Sequence, residues 1–225
     1  MSRLAIITGA GSGLGKAICE VLSEVQGERP GGVAGEQIVC IAIARGPIAD
    51  GPLDQITADL SRPHNWPAIV GPMLSDLEFS RITFFDIAAV LPHGAAQDAD
   101  FKAKMDEAMR VNVTSPLAIA RALAQIARSR TVPLDVVHIS SGAALRPIAN
   151  WGAYCASKAA AAMAWRVFEA ENDFVTAHII QPGVIATKMQ QRLREEGDPN
   201  AAPRAALRSP HEVARDILRQ CGFAP

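Results

Sequence analysis

Eight residues near the start of the chain, Thr8-Gly9-Ala10-Gly11-Ser12-Gly13-Leu14-Gly15, join a short apolar run, Leu4–Thr8, to an amphipathic stretch over 14–26. Glycines at such a junction permit a tight turn and close backbone approach. The helix they open offers unpaired N–H groups and the positive end of its dipole. A pyrophosphate is stabilised there, although an ordinary strand-to-helix turn draws on the same residues. The spacing departs from G-x-G-x-x-G, because counting on from Gly11 and Gly13 puts Lys16 at the third small position. The form that fits is Thr8-Gly9-x-x-x-Gly13-x-Gly15. A strand feeding a helix through this turn belongs to an α/β sheet whose ligands bind at the carboxyl ends of the strands.

The rest of the chain repeats the alternation. Apolar runs at Leu4–Thr8, Ile38–Ala44, Ile82–Ala88, Leu134–Ser140 and Val175–Ile180 read as strands, and helical stretches lie near 14–26, 63–78, 99–129, 152–171 and 209–220. Runs that are apolar on both faces suit strands covered by helices on each side. The expected fold is a single α/β domain over 1–225, a doubly wound parallel sheet of Rossmann type, since this length suits one core. Ser209, Pro210 and Glu212 form an N-cap and capping box for the last helix. Gly27–Gly35 reads as a turn-rich surface connection. The stretch 188–208, with Gly197, Pro199 and Pro203, reads as a mobile excursion and substrate-binding lid.

With 22 Lys+Arg against 23 Asp+Glu, the formal charge of −1 draws the protein toward neither nucleic acid nor an anionic membrane, so small molecules are the expected partners. The cysteines, Cys19, Cys40, Cys155 and Cys221, are scattered without C-x-x-C or a neighbouring His. They read as reduced packing residues, with no metal site. The start of the chain does not read as a signal peptide or membrane span, and a cytoplasmic location is the default expectation.

The second strand ends in Ala44 and is followed by Arg45, where a preference for NAD would place Asp or Glu against the ribose hydroxyls. A small residue removes repulsion from a 2′-phosphate and a guanidinium pairs with it, so NADP(H) is the expected cofactor; the alternative is a solvated surface charge. Ser12 offers a hydroxyl to the same phosphate. Asp59-Leu60 meets the adenine or, equally, stabilises a turn.

The chain's one tyrosine, Tyr154, stands four residues before Lys158, so on a helix the two share a face. An ammonium beside a phenol favours the phenolate, and a tyrosine so tuned can exchange a proton with a carbonyl oxygen. Taken alone the pair is also an ordinary helix surface pair. Ser141, thirteen residues earlier, follows a strand ending "VVHISS", where its hydroxyl reaches the sheet's carboxyl edge.

With "TGAGSGLG", "VNVTSP", "ISSGAA", "YCASK" and "QPGVIATKM" in this order, the sequence resembles the short-chain dehydrogenase/reductase family across nearly its whole length. The resemblance implies a catalytic tetrad at Asn112, Ser141, Tyr154 and Lys158. Tyr154 would be the general acid/base and Ser141 would polarise the substrate oxygen. Lys158 would lower the tyrosine pKa and hold the nicotinamide ribose, and Asn112 would hold a water joining Lys158 to a proton relay. Pro182, Gly183 and Thr187 match the segment over the nicotinamide, with Val184 or Ile185 packing nearby. Cys155 and Ala156 would be small packing residues beneath the pair.

The family's Asn-Asn-Ala-Gly stretch is replaced by Asp86-Ile87-Ala88-Ala89, where small Ala88 still admits the adenosine ribose. A buried Asp86 needs a donor, and is expected to replace a structural hydrogen bond of an Asn side chain. The family's seventh strand would follow the last helix, where only Cys221–Pro225 remain. His138 and His178 read as core residues. His93 and Trp151 are candidates for the substrate pocket, Trp151 as an aromatic wall or, equally, as packing under the 188–208 segment.

The resulting expectation is an NADPH-dependent oxidoreductase that reduces a ketone, diketone or aldehyde to an alcohol, assembled as a homodimer or homotetramer. The alternative is a non-catalytic dinucleotide sensor on the same fold.

Overall fold

Seven consecutive buried residues, Ser2–Thr8, form the central strand β1 of the computed structural model, which describes residues 2–27, 37–48 and 54–223. Its side chains alternate between two cores: Leu4 and Ile6 point to one face, Ala5 and Ile7 to the other. The remaining strands are β2 (Gln37–Ala44), β3 (Asp54–Thr57), β4 (Phe79–Asp86), β5 (Leu134–Ile139) and β6 (Val175–Ile180). All pairings are parallel, in the order β3-β2-β1-β4-β5-β6. The chain order reverses between β1 and β4, and that crevice is where such sheets bind ligands.

The helices are α1 (Gly13–Gly27), α2 (Trp66–Leu74), α3 (Phe101–Met109), α4 (Ser115–Arg130), α5 (Gly152–Ala170), α6 (Lys188–Glu195) and α7 (Pro210–Gln220). Trp66 and Leu74 of α2, Ile119 and Leu123 of α4 and Trp165 of α5 cover one face of the sheet. Ile18 and Leu22 of α1 with Val213 and Ile217 of α7 cover the other. The doubly wound fold is the expected one.

Four local features differ from the sequence expectations. Strand β3 was not expected; it has four residues and only Ile56 is buried, so its apolar signal is slight. The stretch 99–129 is not one regular helix: α3 and α4 are joined by a π-helical turn, Arg110–Thr114, that contains Asn112. Strand β4 ends at Asp86, because Ile87 and Ala88 turn their N–H groups to the Thr8 hydroxyl instead of continuing a ladder. The 188–208 segment contains a helix not among those expected: it forms α6 and a short 3₁₀ turn, Arg204–Ala206, and buries Leu193. The Gly27–Gly35 connection lies, beyond Gly27, outside the described residues, and no strand follows α7 among those described. The capping box at Ser209 and Glu212 is present.

Candidate active site

The glycine turn is held by contacts that leave no room for a Cβ. Gly9 has φ +70°, and a Cβ there would lie 3.1 Å from the backbone of Ala88. At Gly15 it would lie 2.4 Å from the Gly9 carbonyl oxygen. Gly13, with φ +55°, opens α1, and its missing Cβ leaves space for the Thr187 methyl group. Leu14 points into the core, Ser12 is exposed, and the first N–H groups of α1 stand where an anion would be cradled. Thr8, at the end of β1, ties this turn to the strand across the crevice. Its hydroxyl donates to the Phe85 carbonyl at 3.2 Å and accepts from Ile87 N at 2.9 Å and Ala88 N at 3.1 Å. This brings Ala88 against Gly9, as the small residue at that position requires.

At the end of β2, Ala44 is buried beside Gly11 and Arg45 is exposed. Among the described residues Arg45 makes no salt bridge. Asp59 is a turn residue: its carboxylate accepts from Ser61 N at 2.9 Å and pairs with Arg62 at 3.7 Å. The Ser61 hydrogen bonds, more than the neighbouring Arg62 and Arg45, hold that carboxyl below its usual range. Leu60 is buried and its carbonyl accepts from the Ser115 hydroxyl, so its side chain is a core group.

At the carboxyl end of β5 the chain places Ser141, and α5 brings Tyr154 and Lys158 over it. Tyr154 is only 7 % exposed. Burial pushes its phenol above the ordinary tyrosine range, and the neighbouring Ser141 hydroxyl draws it partly back. This differs from the expectation that Lys158 makes the phenol acidic. The Lys158 ammonium is turned to the Ile139 carbonyl, at 2.8 Å, and lies fully within the core. Burial pushes the lysine below its ordinary range, against the opposing pull of Asp86.

Asn112 lies below the same point. Its Oδ1 accepts from Val90 N at 2.8 Å, and its Nδ2 donates to Val90 O and to the Ser157 hydroxyl, each at 2.9 Å. Ser157 in turn donates to the Tyr154 carbonyl at 2.9 Å. The asparagine thereby links the segment after β4 to α5 through Ser157, a residue of the "YCASK" segment to which the sequence reading gives no role. Ala156 faces outward, so it does not pack beneath the pair as expected.

Trp151 and His93 are brought to the rim by a backbone bridge between Gly94 and Trp151. The Trp151 ring stands edge-on to Tyr154, with centroids 5.9 Å apart, and its indole N–H donates to Asp198 Oδ2 at 2.7 Å. Of its two expected roles, packing beneath the 188–208 segment is therefore the one its contacts show. His93 Nε2 lies 3.5 Å from Glu196 Oε2. Both contacts fasten α6 and the residues after it over Tyr154, where Leu193 joins the apolar cluster of Trp151, Tyr154 and Ala143. Burial works against the Asp198 charge, but bonds from Trp151 and Asn200 and the nearby His93 hold its carboxyl below the usual range. The Pro182–Thr187 segment crosses the end of β6, with Gly183 at φ +80°. It is fixed by backbone hydrogen bonds of Val184 and Ala186 with Arg208.

A glycine-turned helix start, the Ser141 and Tyr154 side chains and a buried lysine thus share one edge of the sheet. The family model described as short chain dehydrogenase matches residues 3–198. The chain belongs to the short chain dehydrogenase family. This short chain dehydrogenase is 29 % identical to a benzil reductase ((S)-benzoin forming) of Bacillus subtilis, over 96 % of the chain and 92 % of the relative. It is also 29 % identical to sepiapterin reductase of Bos taurus, over 85 % of the chain and 76 % of that protein. Among solved structures, the KRED1-Pglu enzyme superposes with a TM-score of 0.78 over 100 % of this chain and 97 % of its own, at 24 % identity, which supports the fold. The family comprises oxidoreductases that use a nicotinamide dinucleotide and act on small molecules. No helix among the described residues is long and apolar enough to cross a membrane.

Proposed function

We propose that the protein is an NADP(H)-dependent carbonyl reductase in which Tyr154 gives a proton to the substrate oxygen. The observation that carries this reading is the Ser141–Tyr154 hydroxyl pair at the carboxyl edge of β5, with Lys158 buried beneath it. The cradle at Gly9, Gly13 and Gly15, which a Cβ would fill, fits a dinucleotide pyrophosphate. When bound, the cofactor supplies a hydride to the carbonyl carbon. Ser141 orients the carbonyl oxygen by a hydrogen bond and Tyr154 donates the proton that completes the alcohol. Burial favours the neutral phenol, which is the form that reduction consumes. Lys158 holds a positive charge beside the ribose position. Both Nδ2 hydrogens of Asn112 are committed and Val90 N takes one lone pair of Oδ1, so the second lone pair is what its side chain has to offer a relay water.

Ala44 and Arg45 support NADP(H) over NAD(H). Arg45→Ala is expected to raise the KM for NADPH about tenfold and to leave that for NADH nearly unchanged, because only the former loses a charge-assisted contact. Steady-state kinetics with both cofactors check this; equal effects would remove Arg45 from the 2′-phosphate. Likeness to a benzil reductase over nearly the whole of both chains favours aromatic diketones as substrates. Pterin ketones, quinones and aldehydes complete the panel on which NADPH consumption is to be measured. Absence of turnover across that panel, with NADPH bound tightly, would favour the sensor.

A second copy of the chain is the proposed assembly partner. Ala156, Ala159, Met163 and Val167 form an exposed stripe of small and apolar residues along α5, with Met163 58 % exposed and Val167 46 %. Light scattering of Met163→Lys/Val167→Glu is expected to show a smaller species than the wild type. An unchanged mass would place the interface elsewhere.

A further inference from the structure

Among the described residues, the buried charged side chains are Arg3, Asp86, Asp135, Lys158 and Asp198. Arg3 and Asp135 meet at the amino end of the sheet, and Asp198 is held at the rim by Trp151 and Asn200. Asp86 and Lys158 remain, of opposite sign and only 2 % and 3 % exposed. A charge buried without an opposite charge costs several kcal/mol, so each needs the other or a substitute.

Strand register and the inner face of α5 place the two in the same buried region at the carboxyl ends of β4 and β5, where they act on each other through space without a direct ion pair. Asp86 closes β4 and pairs in register with His138 on β5. Ile139, next along β5, supplies the carbonyl that receives the Lys158 ammonium. Trp165, seven residues after Lys158 on the same inner face of α5, donates its indole N–H to Asp86 Oδ2 at 3.2 Å. His138 donates from Nδ1 to the same oxygen at 2.6 Å. Its other nitrogen, Nε2, is buried with no partner. A charged imidazolium would strand an N–H there, so the arrangement suits the neutral ring, which gives Asp86 a hydrogen bond and no charge. Of the groups beside the pair, the indole of Trp165 is neutral and burial favours the neutral Tyr154 phenol. Lys158 alone is left to carry the balancing charge, and the pull of Asp86 on it opposes the effect of its burial.

We propose that Asp86 is the counter-charge of Lys158, a positioning residue that acts through the lysine and keeps its ammonium charged in a dry site. Asp86 touches neither substrate nor cofactor in this assignment. The hydrogen bonds from His138 and Trp165 hold the carboxylate in place, and the lysine holds its position by the bond to Ile139.

The experiment is a thermal-melting cycle on the full chain. Lys158→Met leaves Asp86 as an unpaired buried carboxylate and is expected to lower the melting temperature by roughly 10 °C. Adding Asp86→Asn removes the stranded charge, and the double variant is expected to recover about half of that loss or more. A double variant that melts at or below Lys158→Met overturns the pairing. If Lys158→Met does not fold, a folded double variant supports the pairing and an unfolded one overturns it. Asp86→Asn alone supplies a second readout. The alkaline limb of its kcat/KM profile moves to lower pH as Lys158 loses its charge earlier, while activity at the acid end stays within about threefold of the wild type. An unmoved limb overturns the inference. The melting cycle needs no turnover, so its result stands apart from the reductase reading, on which only the pH profile rests.

Discussion

Tyr154→Phe is expected to lower NADPH-dependent carbonyl reduction by about 10³-fold, within the 10²–10⁴ range of a lost general acid, while NADPH still binds. The ring stays in the same apolar cluster with Trp151 and Leu193, so the change removes one hydroxyl and leaves the packing intact. What is lost is the proton donor, and Ser141 is a poor replacement because an alkyl hydroxyl is far less acidic than a phenol. Titration of NADPH by fluorescence, followed by turnover on an aromatic diketone, separates binding from chemistry. Retained binding with lost turnover is the expected outcome. Turnover within about tenfold of the wild type would assign the proton to another group.

Gly15→Ala is expected to weaken NADPH binding by about 100-fold and to lower the melting temperature by roughly 5 °C. Its Cβ would stand 2.4 Å from the Gly9 oxygen, 2.7 Å from the Gly9 carbon and 3.1 Å from Ala10 N, all backbone atoms that no rotamer change can move. Gly9 has no room to yield, since it already lies against Ala88. The turn must therefore open, and the N–H groups at the start of α1 move away from the phosphate position. Gly71→Ala in α2 is the control, because a Cβ there meets nothing within 4 Å and alanine favours a helix. Isothermal titration with NADPH and a thermal melt measure both effects. Unchanged binding in Gly15→Ala would show that the cradle does not hold the pyrophosphate.

The three free cysteines of the core fit the reading of packing residues. Burial pushes the Cys19 and Cys40 thiols up to about 12 and Cys221 up to about 11, so none is a thiolate at neutral pH.

Local pattern was enough for the strands of continuous apolar residues, the glycine turn, the last helix with its capping box and the shared face of Tyr154 and Lys158. Each depends on residues a few positions apart, where backbone geometry and helical period leave few alternatives. Strand β3 and helix α6 were less legible, because four residues with one buried isoleucine and a polar helix with one buried leucine leave almost no apolar period. The resemblance to the family supplied the role of Asn112, which spacing alone does not mark.

The chain's local chemistry thus decided the fold class, the glycine turn and the helix face shared by Tyr154 and Lys158. Tertiary structure decided which groups those residues meet. His138 and Trp165 converge on Asp86 from positions 52 and 79 residues away, Trp151 reaches Asp198 across 47 residues, and Thr8 fastens the far strand by amides 79 and 80 residues on. Such contacts follow from strand register and helix docking, which depend on packing summed over the whole core, so no short window of sequence contains them.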